Sequence, residues 1–346
     1  MSDLCIPSRE QRLLDLYSKD FILMFEYESF VRGVMFEDES FNFNLALSRM
    51  TMRFADMVRT NALFPRLKGV YSKTLVGNAW AWSKSAEALR SLAGSGSRAV
   101  VIGDAALRLT TLKGVPRKIA CMEVLMRPSV KADIIADAPA SDALRVRRSL
   151  FRVHTGKEDV VDGLQEYHDS SGLSYLIPSD ELQFLMLCAN SIFQMDGNSF
   201  NDACLQWVMD AVDIVRLRPG INWERVAHLA LVYGQNATLM RAMDILKDLV
   251  PSVLGNISIP VHEPSQAEMT AMNRHMRFLE LDARCRKNAS KRGFLSLCCR
   301  PVFRLQSNWM DLLRYYPCRN LPGMLRLALV YHYRKYCLKL RDWIPD

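Results

Sequence analysis

The sequence predicts a mixed α/β (α+β) chain, with a small mixed sheet set between an N-terminal helical region and a C-terminal helical domain. Three observations predict it. A β-branched run, "AVVI" at 99–102, follows a glycine-containing stop and runs straight into an Ala- and Leu-rich stretch at 104–112, so a strand turns directly into a helix. Apolar residues recur at helical spacing on both sides of this region. Finally, 346 residues with 49% apolar content exceed one ordinary domain and can bury real cores, so two or three packed units are expected and large-scale disorder is not.

Taken in order, helical spacing over 9–36 and 41–62 is broken by "FEDESFNFN", and Pro65 opens a further helix toward Ala93. This N-terminal helical region is assigned to residues 1–95. Gly94 and Gly96 in "LAGSGSR" stop it, and a core at 96–178 begins with the strand at 99–102. The helix at 104–112 is ended by "GVP", and a second strand spans 119–126. Residues 129–148 read as a short helix and connector, "SLFRVHT" at 149–155 as a third strand, and "GLSYLIP" at 172–178 as an edge strand, giving about four strands in all. Ser179 then suits the N-cap of a helix with Leu182–Leu187 as its core face, and that helix with others at 203–216, 223–233 and 237–249 forms a bundle domain assigned to 179–254. Residues 255–265 read as a linker to a basic helical tail, the two together covering 255–346.

Charge is unevenly placed. Residues 284–346 carry 14 Lys and Arg against three Asp, so the net +8 of the chain belongs to its end and the rest is mildly acidic. Such a tail suits a protein partner or an anionic surface, while nucleic acid is not the expected partner. No apolar run approaches the length of a membrane span and no secretory leader is recognised, so a cytoplasmic protein is expected. The nine cysteines are scattered, without a CxxC pair, and read as reduced thiols, Cys298 and Cys299 included.

The candidate chemistry lies between residues 99 and 126, "AVVIGDAALRLTTLKGVPRKIACMEVLM". Together with "FPRLKGVYSKTLVGNA" before it, and with "PSDELQFLMLC" and "LQWVMDAVDIVRLRPGINWERVAHLALVYG" after it, this order of motifs resembles bacterial nucleotidyltransferase-family proteins of the DNA polymerase beta-like superfamily. Trp207, Asp210, Trp223 and Gly234 carry the most specific part of the likeness. The resemblance implies a nucleotidyltransferase core that moves a nucleoside monophosphate from an NTP to an acceptor. It also implies Mg²⁺ held by an acid-x-acid pair on the second strand and by a third acid on a later one. In-line phosphoryl transfer needs such carboxylates because positioning and metal stabilisation of charge dominate it.

Residue by residue, the pattern departs from that scheme. The turn reads Gly103-Asp104-Ala105-Ala106, the first acid of the pair is Cys121, and the third falls on Arg152. Glu123 keeps the second acid and Arg117 keeps its register. The resemblance therefore assigns Gly103, Asp104 and Arg117 to nucleotide binding, Glu123 and Asp104 to catalysis, and Glu123 to the metal. Cysteine is a soft ligand poorly matched to magnesium, so loss or weakening of transfer is the preferred expectation. Mg²⁺ is expected if the chain is active and no cofactor otherwise. Two readings stay open: an enzyme with a site rebuilt from Asp104, Glu123 and Asp133, and a non-catalytic scaffold that binds a nucleotide or a partner. His154 and His168 are weaker candidates, the latter placed in a loop, and Asp210 and Asp213 are expected to cap or pair within the helical domain.

Overall fold

The computed structural model describes residues 6–34, 39–94, 100–115, 117, 119, 122–125, 144–147, 149–152, 162–168, 172, 174–194, 200 and 202–276. Residues 1–126 and 138–279 make one compact unit; 127–137 and 280–346 make a second, which lies outside the described residues, as do the basic tail, Cys121, Asp133 and His154.

The N-terminal helices are α1 (Ser8–Tyr17), α2 (Met24–Val31), α3 (Phe41–Arg53), α4 (Ala55–Val58) and α5 (Phe64–Gly94). The expected helix at 9–36 is thus two, broken between Tyr17 and Met24. The break is held by side chains that satisfy the carbonyls left over at the end of α1: Arg216 donates to Tyr17 O at 3.0 Å, and Arg53 to Lys19 O at 3.2 Å. Ser40 caps α3, its hydroxyl accepting from Phe43 N–H at 3.1 Å. Among the described residues five strands follow, with one helix among them: β1 (Val100–Ile102), α6 (Gly103–Leu109), β2 (Met122–Leu125), β3 (Leu144–Arg147), β4 (Leu164–His168) and β5 (Ser174–Pro178). The chain ends its described part with α7 (Asp180–Ser191), α8 (Asp202–Leu217), α9 (Trp223–Tyr233), α10 (Asn236–Leu249), α11 (Pro251–Leu254) and a helical segment at 266–276. Gly234 closes α9 at φ +61°, a conformation that favours glycine.

The strands form one mixed sheet in the order β3-β2-β1-β5-β4. β1 is central, antiparallel to β2 and parallel to β5. β3 runs parallel to β2, and β4 antiparallel to β5. The architecture is therefore the expected mixed α/β class with helices on either side in sequence, but two strands differ from expectation. The third strand is Leu144–Arg147, inside the stretch read as helix and connector, and His168 ends a strand rather than sitting in a loop. Ser149–Arg152 is an irregular turn rather than a strand, with Ser149 Oγ accepting from Phe151 N–H at 3.2 Å, and residues 153–155 of the expected strand lie outside the described residues. Asn190 holds that turn, its Oδ1 accepting from Arg152 N–H at 2.8 Å and its Nδ2 donating to Leu150 O at 3.0 Å.

A single apolar core runs through this unit. Leu13, Phe43, Val100, Phe184, Trp207 and Leu246 all belong to it, so N-terminal helices, sheet and later helices share one interior. The expected linker at 255–265 has no regular structure, and its Ile257, Ile259 and Val261 pack against the same core. Among the described residues no helix is long and apolar enough to cross a membrane.

Candidate functional site

β1 delivers the chain to Gly103, whose φ of +66° lies in the left-handed region. A Cβ there would lie 2.8 Å from Glu123 Oε2, so any other residue would also push the Glu123 carboxylate from its present place. α6 starts at once and carries Asp104 in its first turn. From the antiparallel neighbour, register places Glu123 opposite Ile102. Met122 and Val124 are buried, so strand alternation turns Glu123 to the opposite face, toward Gly103. Gly103, Asp104, Arg117 and Glu123, all expected at the site, line one cleft of about 80 Å³ together with Arg147 and Arg152.

Within the cleft each carboxylate meets a guanidinium. Arg117 Nη2 lies 2.8 Å from Asp104 Oδ1, and Arg147 Nη2 lies 2.5 Å from Glu123 Oε1. The second pair follows from the sheet: β3 sets Arg145 opposite Glu123 and Arg147 opposite Leu125, so Arg147 is the diagonal neighbour of Glu123 and long enough to reach it. Arg147 Nε is buried and has no hydrogen-bond partner among the described residues.

Arg117 is held from behind. Its Nη1 pairs with Asp210 of α8, a residue wholly hidden from solvent. Asp210 Oδ1 also accepts from Arg49 of α3 at 2.8 Å, and Arg49 Nη2 reaches Asp213 at 2.8 Å. Tyr17 of α1 donates to Asp213 at 2.6 Å. Asp210 and Asp213 thus pair outside the helical domain, correcting the expectation that they pair within it. Burial alone would pull the Arg49 guanidinium toward its neutral form; Asp210, Tyr17 and Asp213 overcome this and raise its pKa, which keeps Arg49 charged. Burial, helped by Asp213, pushes the Tyr17 phenol well above its ordinary value, so Tyr17 remains a donor.

Asp104 stands at the rim of this network, with 42% of its side chain in contact with solvent. Desolvation by the surrounding protein raises its pKa from the ordinary carboxylate value; Arg117 opposes the shift, while Asp210 and Glu123 add to it. The backbone that carries Arg117 is pinned by Asn78 of α5, whose Nδ2 donates to Arg117 O at 2.6 Å and whose Oδ1 accepts from Ile119 N–H at 3.0 Å.

A divalent cation needs carboxylate oxygens with lone pairs to spare, and Mg²⁺ is usually bound by one or two of them. Glu123, expected to hold the metal, and Asp104 beside it both face guanidinium groups, a donor set that does not fit such an ion. Among the described residues no group of three or more His, Cys, Asp or Glu is placed to hold one. Sequence reasoning missed Arg49, Asn78 and Arg147. Asn78 lies inside the stretch "FPRLKGVYSKTLVGNA", which drew notice only as a likeness, and Arg147 lies in a four-residue strand that its own "LRVR" barely announces. In comparisons with known proteins the chain matches no family model, no curated protein and no solved structure.

Proposed function

We propose that this chain is a nucleotidyltransferase-like protein whose transfer chemistry is lost and whose cleft serves to bind a phosphate-bearing ligand, with an NTP as the class its sequence resemblance implies. One observation carries the reading: the two carboxylates that would serve a metal are each neutralised by an arginine, Asp104 by Arg117 and Glu123 by Arg147. Guanidinium groups are matched to phosphate oxygens, and Arg117, Arg147 and Arg152 all line the cleft. The strand, the glycine turn, the short helix and the antiparallel second strand with Glu123 support the fold side of the reading. At about 80 Å³ the cleft is far below the roughly 300 to 1,000 Å³ of ordinary small-molecule pockets, so it suits a phosphoryl group, with sugar and base lying outside it.

Isothermal titration of the full-length protein with the four NTPs in EDTA tests this. Binding that weakens by about tenfold in Arg147→Ala is expected, the size of one lost charge-assisted contact. No heat with any of the four, with EDTA or with Mg²⁺, refutes it. Robust label transfer from an NTP that disappears in Glu123→Ala would instead restore the catalytic reading.

A further inference from the structure

The mismatch between the carboxylates and a metal has a direct physical cause, and it makes a statement about the cleft that goes past ligand class. We infer that the guanidinium groups of Arg117 and Arg147 occupy the place a divalent cation would take, so that the cleft holds its phosphate-bearing ligand without metal and a divalent cation must compete with two arginines for Asp104 and Glu123. The ligand half of this rests on the function proposed above; the cation half rests on the ion pairs alone.

Arg117 cannot simply swing aside. Its Nη2 is on Asp104 while its Nη1 is on Asp210, and Asp210 is buried and shared with Arg49. Moving the guanidinium would take from the buried Asp210 one of its two cations, leaving it Arg49 alone, and breaking into a buried ion network is costly. Asn78 fixes the backbone of the same residue, so the anchor is main chain as well as side chain. A cation at Asp104 would therefore sit against a positive charge that stays. Arg147 is the looser of the two arginines, 17% exposed and tied to Glu123 on the neighbouring strand, which makes it the one whose removal should open a cation site. Glu123 Oε2 lies beside Gly103, and Gly103, Asp104 and Glu123 line the same cleft.

Mn²⁺ titration of the full-length protein, followed by the electron paramagnetic resonance of the free ion, tests the cation half; Mn²⁺ shares the oxygen preference of Mg²⁺. The wild-type protein should show no site tighter than millimolar. Arg147→Ala should gain one at least about tenfold tighter, lost again when Glu123→Gln is added. A micromolar site in the wild-type protein that Glu123→Gln removes overturns the inference, and so does an Arg147→Ala protein of unchanged circular dichroism that gains nothing. The wild-type titration decides even if the variant fails to fold. Pyrophosphate titrated in EDTA tests the ligand half: binding is expected, whereas binding only when Mg²⁺ is supplied overturns it. Should pyrophosphate and the NTPs fail to bind under every condition, the proposed function falls while the Mn²⁺ result still judges the arginines.

Discussion

His275 packs edge-on against Phe193, ring centroids 4.4 Å apart, and burial, with Arg152 nearby, pulls its pKa from 6.5 down to about 4. The sign follows from linkage: between those two values the unfolded chain binds a proton that the folded one refuses, so the contribution is intact above pH 6.5 and is lost as pH falls toward 4. Lowering the pH from neutral to 4 should cost the wild-type protein on the order of 2 to 3 kcal/mol more than it costs His275→Phe, read from denaturant midpoints at each pH. At this scale the sequence was only partly legible. Gly103, Asp104, Arg117 and Glu123 could be picked out because they lie within 21 residues of chain and follow a recognisable order. Arg147 is 24 residues beyond Glu123, and Arg49 is 161 residues from Asp210, so nothing local marks either as a partner.

At the scale of elements, short pieces of irregular chain are positioned by single amides projecting from helices. Asn78 on α5 serves the segment that carries Arg117, and Asn190 on α7 serves the turn at 149–152. Asn78 is 2% exposed, so Asn78→Ala would leave a buried carbonyl and a half-buried N–H without this partner. A loss of about 2 kcal/mol is expected, measured by urea unfolding, together with weaker ligand binding because Arg117 is no longer held in register. The helices themselves were readable: Ser179 and the Pro65 start gave boundaries close to those of α7 and α5, and the expected helix at 223–233 coincides with α9. The third strand was not, since "LRVR" alternates but four residues are too short a run to outweigh a helical reading. Its identity depends on pairing with β2, a non-local fact.

For the molecule as a whole, the network from Asp104 to Tyr17 joins three regions that look separate in sequence. Cutting it at Asp210 leaves Arg49 and Arg117 without a shared carboxylate in the interior, and Asp210→Ala should cost about 3 to 5 kcal/mol. Arg49→Ala/Asp210→Ala should cost less than the sum of its singles by roughly 0.5 to 3 kcal/mol, which a double-mutant cycle in denaturant would measure. The overall class was legible from periodicity alone, whereas the single shared core was not, because periodicity says which face of a helix is apolar and not what covers it. That shared interior has a consequence in time. Arg49 emerges from the ribosome 161 residues ahead of Asp210, which at ordinary synthesis speeds is a wait of roughly 8 to 32 s. Throughout that interval the faces of α1 and α3 that rest on α8 in the finished protein stay uncovered, so the newborn chain must be kept from sticking to its neighbours until α8 arrives.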